Sequence, residues 1–367
     1  MKYYIIAGEA SGDLHGSNLI KELLKLDYHA QVRAWGGDLM NMGGAEIVKH
    51  YRDLAFMGFT EVVMNLRTIL KNISFCKQDI LEFKPDVIVL IDYPGFNLRI
   101  AEFAKKNNIK VVYYISPQIW AWKESRIKKI KKNVDEMLVI LPFEKEFYAK
   151  HKMDVHFVGH PLIDAIQNFK KNSKFIECND LNKKPLIALL PGSRRQEIDK
   201  ILPIMLEAVE GLEDFQLVIA AAPSIEIEFY NAIINQRNVS IIQNETYNIL
   251  NSATAALVTS GTATLETAIF GVPQVVCYKG GVVSYWLAKK LIKVKYISLV
   301  NLIMDKPTVK EMIQDNCNSK DIRKELNQIL FNKEIISELK IEMEKLKVLL
   351  GGSGASEKAA KLIFLKN

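Results

Sequence analysis

An α/β protein of two Rossmann-like doubly wound lobes is what this sequence predicts, and three observations predict it. The chain has 367 residues, enough for two domains that each bury a core. Short β-branched or aromatic runs alternate with longer helical patterns, as in a parallel sheet wound with helices. The alternation stops at a polar stretch and then begins again.

The first set of strands is read at Tyr3–Ala7, Val87–Ile91, Val111–Ile115 and Met137–Leu141. The second set is Leu186–Leu190, Gln216–Ala220, Ser240–Ile242, Ala255–Val258 and Gln274–Cys277. Between them, Gln167 to Ser173 and Asn179 to Pro185 are polar and end at a proline, which marks a linker. The expected lobes are therefore residues 1–165 and 166–339. From Ser319 onward the pattern is helical except at Gly351-Gly352-Ser353-Gly354, where glycines break and redirect the chain.

Composition narrows the classes. A hydrophobic fraction of 49% with 25% charged residues is that of a globular protein and excludes disordered and collagen-like chains. The net charge, 49 − 42 = +7, favours anionic partners such as nucleotides, phosphosugars or lipid headgroups. No nucleic-acid-binding motif accompanies that charge, so no nucleic-acid partner is expected. Cys76, Cys178, Cys277 and Cys317 lie far apart without C-x-x-C spacing, which suggests neither a disulfide framework nor a zinc site and fits a reducing cytoplasm. The N-terminal apolar run is too short for a signal peptide. No stretch reaches the roughly 20 apolar residues of a spanning helix, so any membrane contact is expected to be peripheral.

In doubly wound sheets, ligands sit beyond the carboxyl ends of the strands, and five such loops stand out. Gly8-Glu9-Ala10-Ser11-Gly12-Asp13 follows the first strand. It is either a ligand loop with close backbone approach or a tight turn with Ser11 or Asp13 capping the next helix. It matches neither G-x-G-x-x-G, a P-loop nor G-x-S-x-G. Asp92 ends the run Val87–Ile91 and is read as a general base facing an interlobe crevice, with Asn97 free to cap the following helix.

Ser116 to Trp122 carries Trp120 and Trp122, which stack on a sugar or acyl chain or else pack in the core, and the basic stretch Lys123 to Lys132 follows. In the second lobe, Gly192 and Ser193 offer backbone N–H groups at a helix start, and Arg194 adds a fixed charge for a diphosphate. Ser260, Gly261 and Thr262 begin another helix whose Glu266 suits ribose hydroxyls. Together these two loops describe a nucleotide diphosphate pocket. No D-x-D pair is present, and His156 and His160 precede Pro161, so they are read as hinge or crevice residues. Neither a metal nor a cofactor is expected.

In order and wording these loops resemble the lipid-A-disaccharide synthase family over nearly the whole chain. The residues that carry the resemblance are Gly8 to Asp13, Leu54 to Gly58, Ile91 to Pro94 with Phe96-Asn97, and Ser116 with Trp120 to Trp122. The rest are Leu141 to Lys145, Val158 to His160, Leu190 to Arg194, Ser260 to Glu266 and Ser298 to Leu302. The resemblance implies a GT-B fold in which C-terminal helices, about residues 340–367, return to the first lobe. It implies an inverting transfer of diacylglucosamine from UDP to diacylglucosamine 1-phosphate (lipid X), giving a β-1,6-linked disaccharide in lipid A biosynthesis. It also implies Asp92 as general base, Arg194 and Glu266 at the nucleotide, Asn301 near the active site, and a homodimer. Two positions depart from the pattern: Gly95 stands where an acid is expected, and Arg195 replaces a small residue.

Two other functions fit the same loops: a UDP-sugar epimerase, and a non-catalytic nucleotide-sugar-binding protein at the membrane. The segment Phe56 to Ile73 is expected to dock on the cytoplasmic face of the inner membrane or to be core. In the docking reading Phe59, Val62, Val63, Leu66, Leu70 and Ile73 face inward while Phe56, Met57, Met64 and Ile69 face out.

Overall fold

The structure, a computed structural model, describes residues 1–54, 66–181, 184–281 and 294–366. Two compact units result, one joining Met1–Asp164 to Leu350–Asn367 and the other formed by Ala165–Leu349. Each is a parallel sheet wound with helices.

In the first unit the strands are β1 (Lys2–Ala7), β2 (Gln31–Gly36), β3 (Glu46–His50), β4 (Val87–Ile91), β5 (Lys110–Tyr114), β6 (Glu136–Val139) and β7 (His156–Phe157). Their sheet order is β3-β2-β1-β4-β5-β6-β7. The second unit contains β8 (Leu186–Leu190), β9 (Gln216–Ala221), β10 (Ser240–Gln243), β11 (Ala253–Thr259), β12 (Gln274–Tyr278) and β13 (Lys310–Ile313), ordered β10-β9-β8-β11-β12-β13. The central strands β4 and β8 are buried at every residue, because helices cover both faces of such sheets and demand continuous apolar runs.

Four strands escape the sequence reading: β2, β3, β7 and β13. The last three lie at sheet edges and are only partly buried, so their residues need not form an apolar run. In β2, Arg33 interrupts the pattern. It is held by Asp79 at 3.1 Å and Glu46 at 2.8 Å. Beside it, Trp35 Nε1 donates to Tyr4 Oη at 2.9 Å, and that hydroxyl donates to Asp79 Oδ2 at 2.6 Å. Each buried polar head thereby keeps a partner.

Most of Phe56–Ile73 lies outside the described residues, so only its C-terminal end bears on the docking expectation. There Ile73 is buried as expected, but two positions are exchanged: Leu70, read as inward, is 51% exposed, whereas Ile69, read as outward, packs against the core. In the helix Leu66–Phe83 the buried anchors are Ile73, Cys76 and Ile80, and helical periodicity extends that stripe back through Ile69 rather than Leu70.

The chain re-enters the first unit at Leu350, later than the expected residue 340, and leaves it after Asp164, inside the helix Pro161–Gln167 and one residue before the expected end at 165. Asp164 explains both boundaries. Its carboxylate accepts from Gly354 N at 2.6 Å and Ser356 N at 2.9 Å, capping the helix Ala355–Leu365. Gly351 and Gly354, at φ +87° and +86°, supply the left-handed turn that brings those amides round.

This junction also buries His15 and His160. Burial lowers His15 to about 4, and burial with the neighbouring His15 lowers His160 to about 3. A histidine depressed below its unfolded value of 6.5 stays neutral in the fold while the unfolded chain takes up a proton. Each should therefore cost about 1.4 kcal/mol of stability per pH unit as pH falls below about 6.5. Asp92 and Glu144, raised to about 7, act in the opposite sense. The informative measurement is thus a difference: urea midpoints of His160→Gln should fall less than wild type between pH 6.5 and 4.5. Parallel pH profiles for the two proteins would rule out a buried neutral His160.

Candidate active site

Strand order reverses between β1 and β4 in one sheet and between β8 and β11 in the other. Loops that leave adjacent strand ends at such a reversal diverge to opposite faces and open a ligand crevice. Register places Ala7 opposite Ile91 and Leu190 opposite Val258. The residues just past these pairs are therefore Gly8 with Asp92, and Pro191 with Thr259.

At the first of these edges, a Cβ on Gly8 would lie 2.4 Å from Tyr93 Cγ, so only glycine lets that ring cover the turn. The helix Ala10–Leu26 begins with Glu9 as N-cap and has no side-chain cap, so neither Ser11 nor Asp13 fills that role. Ser11 is exposed at the strand edge, while Gly12 is buried with Ala7 Cβ 3.0 Å from where its own Cβ would be. Asp13 corrects the expectation of a substrate ligand. Its carboxylate accepts from Gly37 N at 2.7 Å, Leu39 N at 3.1 Å and Met40 N at 3.0 Å, and so caps the neighbouring helix Asp38–Met42.

Asp92 and Tyr93 are both left-handed, at φ 42° and 46°. Such strain persists only when its surroundings enforce it. Here Tyr113 Oη donates to the Asp92 carbonyl at 2.5 Å, and Asn97 Nδ2 donates to the same oxygen at 2.8 Å and to Ile91 O at 3.2 Å. Asn97 thus braces the strand end instead of capping a helix, and the cap of the helix Pro94–Lys106 is Tyr93, without a side-chain bond. The Asp92 side chain is half-buried, and burial first, then the charge of Glu9, raises it to about 7. The Tyr93 backbone and Arg126 pull the other way. A carboxylate tuned to neutrality can both accept and release a proton near pH 7.

The tryptophans divide their duties. Trp120 Nε1 donates to the buried Glu144 at 3.2 Å and meets Phe143 edge-on, so it anchors the loop. Trp122 is 50% exposed, with Lys123 and Arg126 over its ring at 4.8 and 5.5 Å. Of the proposed hinge histidines, His156 pairs with Glu136 and Lys366 near the surface, and His160 is interior.

In the second unit, Gly192 takes φ +111° with Glu197 Oε2 2.9 Å and Thr259 Cγ2 3.6 Å from where its Cβ would be. That turn delivers Ser193 and Arg194, both exposed, to the start of the helix Arg195–Val209, where Arg194 is the N-cap. Arg194 Nη1 meets Glu197 at 3.1 Å. Arg195, the residue that departs from the family pattern, pairs with Glu226 and lies over Phe229 at 5.0 Å. It is thereby turned toward the neighbouring helix Ile227–Ile234, whose N-cap is Glu226.

Beside this turn, Gly261 caps the helix Thr262–Ile269, and both Gly261 and Thr262 are exposed. Ser260 Oγ donates to Ile297 O at 3.0 Å. Glu266 is half-buried, raised by that burial, and accepts from Tyr247 Oη at 3.2 Å. A carboxylate accepts about four hydrogen bonds, which leaves room for a diol.

Asn301 is buried with its amide fully engaged: Nδ2 donates to Val309 O and Glu311 Oε1, both at 2.9 Å, and Oδ1 accepts from Val309 N at 2.9 Å. Glu311 in turn accepts from Ile297 N and Ser298 N. Asn301 therefore does not present its amide to a ligand. It positions the segment to which Ser260 is bonded. Sequence reasoning missed Tyr113, Arg126, Tyr247 and Glu311, whose contributions depend on long-range contacts; only the basic stretch signalled Arg126.

The family model described as Lipid-A-disaccharide synthetase matches residues 3–364. A lipid-A-disaccharide synthase from Syntrophus aciditrophicus is 39% identical over 364 residues, covering 97% of this chain and 95% of that protein. A UDP-GlcNAc 2-epimerase from Neisseria meningitidis, solved bound to UDP-GlcNAc, superposes with TM-score 0.71 at 16% identity over the full length of both chains. The glycotransferase of kitacinnamycin superposes with TM-score 0.67 at 14% identity, covering 100% of this chain and 98% of the other. The two structures show a common GT-B fold and no more.

Proposed function

This chain belongs to the lipid-A-disaccharide synthase family, and on that premise we propose how it works. It is a glycosyltransferase that condenses UDP-diacylglucosamine with diacylglucosamine 1-phosphate to form the β-1,6-linked disaccharide 1-phosphate and UDP. The acceptor's primary hydroxyl attacks the anomeric carbon of the donor. Asp92 takes the hydroxyl proton, the new C–O bond forms, and the bond to UDP breaks with its electron pair leaving on the diphosphate. One displacement inverts the anomeric configuration.

The observation that carries the mechanism is the half-buried Asp92 carboxyl, raised to about 7 at a strand-order reversal. In the second unit, Gly192 to Arg194 and Ser260 to Thr262 bind the diphosphate through helix starts and the guanidinium, and Glu266 accepts from the ribose. Leaving-group charge is then neutralised by these groups without a metal. Ser11 and Gly12 border the acceptor. Incubation with both substrates, reading UDP release and the disaccharide mass, tests the reaction. Epimerised donor in the absence of acceptor would overturn it.

The same proposal predicts the pH profile. Asp92 must be ionised to accept a proton, so kcat/KM should fall as pH drops through about 7. Glu9 is one cause of that elevated value. Glu9→Gln removes a neighbouring negative charge, favours the ionised form and should move the acidic limb to lower pH. An unmoved limb would mean that another group sets it.

We further infer that the protein works at the cytoplasmic face of the inner membrane, held peripherally, and as a homodimer. Acylated substrates support the first, together with the exposed Trp122 beside the basic stretch Lys123 to Lys132. Among the described residues no helix is long and apolar enough to cross a membrane. The family resemblance supports the dimer, which sedimentation equilibrium would test.

A further inference from the structure

Two residues beyond Asp92 the surface opens into a groove of about 250 Å³, lined by Pro94, Gly95, Arg99, Ser125, Arg126 and Lys129 along with Leu98. Three of these residues are cationic and none is acidic. Pro94 and Gly95 are the first residues of the 13-residue helix Pro94–Lys106, whose N-terminal amides and dipole also favour an anion. A Cβ on Gly95 would meet nothing within 4 Å, so this glycine, standing where the family pattern has an acid, leaves the groove open and wholly positive. Arg126 is half-buried, its guanidinium 5.5 Å from the Trp122 ring centre, and burial acts against its charge. A partly desolvated cation gains most from an anionic partner.

We propose that this groove binds the phosphate of the acceptor, a phosphomonoester carrying about −1.5 to −2 charge at pH 7. The assignment rests on the transferase reading above. Its geometry follows from the backbone: Pro94 is two residues from Asp92, so their Cα atoms are at most about 7 Å apart. An acceptor whose hydroxyl reaches the Asp92 carboxylate then has its phosphate across one sugar ring, in the groove. Orienting the ring from its far side selects which hydroxyl meets the base. The same cations would also attract phospholipid headgroups, and the test separates the two sources.

The variant is Arg99→Gln with Lys129→Gln, two exposed side chains. Arg126 is kept because it also acts on Asp92. KM and kcat are measured with diacylglucosamine 1-phosphate and with the same acylated sugar lacking phosphate. Calorimetric UDP affinity and co-sedimentation with phosphatidylcholine vesicles containing phosphatidylglycerol are measured alongside. KM for the phosphorylated acceptor should rise roughly 10- to 100-fold, the loss of charge-assisted hydrogen bonds. KM for the unphosphorylated acceptor, kcat and UDP affinity should stay near wild type. Equal changes in KM for both acceptors, or none, would overturn the assignment. Lost vesicle binding with an unchanged ratio of the two KM values would overturn it in favour of headgroups. If the wild-type protein makes no disaccharide, the transferase reading fails by itself. Calorimetry of diacylglucosamine 1-phosphate binding to the two proteins then decides the groove, with equal affinities counting against it.

Discussion

Asp92→Asn should keep UDP affinity and the folded circular dichroism while kcat falls roughly 10²–10⁴-fold, the usual contribution of a general base. The substitution is nearly isosteric, and the bonds that hold the left-handed strand end go to the Asp92 carbonyl, not to its side chain. Tyr113 and Asn97 therefore keep their partners, and asparagine tolerates a positive φ. An amide cannot accept the acceptor's proton, so the loss belongs to the chemical step. Because burial and Glu9 raise Asp92 to about 7, any residual activity should also lose its acidic limb near pH 7. Near-normal turnover would move the role to Glu9. Asp13 and His15, the other ionisable residues just past the first strand, are both interior, and Asp13 is committed to three backbone amides.

Arg194→Ala should weaken UDP binding by about 1.5–3 kcal/mol, or roughly 10- to 150-fold, if its guanidinium bonds the diphosphate directly. Its exposed side chain and its partner Glu197 can rearrange without opening the core. Releasing Glu197 beside the diphosphate adds repulsion, so Arg194→Ala with Glu197→Gln should recover part of the affinity. Binding of UDP in the single variant should remain insensitive to chelators, since helix starts and the arginine supply the positive potential. Unchanged calorimetric affinity, or an absolute need for magnesium, would refute this pocket.

Strand ends show where reading the chain succeeds. Asp92 was identifiable because Val87–Ile91 is an unbroken apolar run, so the residue that ends it must emerge at a sheet edge. Arg194 and Gly261 were identifiable for the same reason, each following a buried strand at a glycine. Asp13 carried the same signal and Asn301 was implied by the family resemblance, yet the structure gives Asp13 to backbone amides and Asn301 to Val309 and Glu311. The difference lies in partners outside the local pattern: Gly37, Leu39 and Met40 for Asp13, Val309 and Glu311 for Asn301.

By itself the sequence determined two parallel α/β units, the loops at their strand ends and, through motif wording, the family. The units and their loops follow from periodicity and turn chemistry, which are local, and the family from the resemblance of its motifs. Only the tertiary structure decided which carboxylate is spent as a cap and which stays at the edge. It also decided which of two tryptophans is an anchor, and that Arg99, Arg126 and Lys129 share one groove with a helix start. Such outcomes depend on burial and on charges brought together by neighbouring helices. Electrostatic tuning depends on three-dimensional distance, which the order of residues does not reveal.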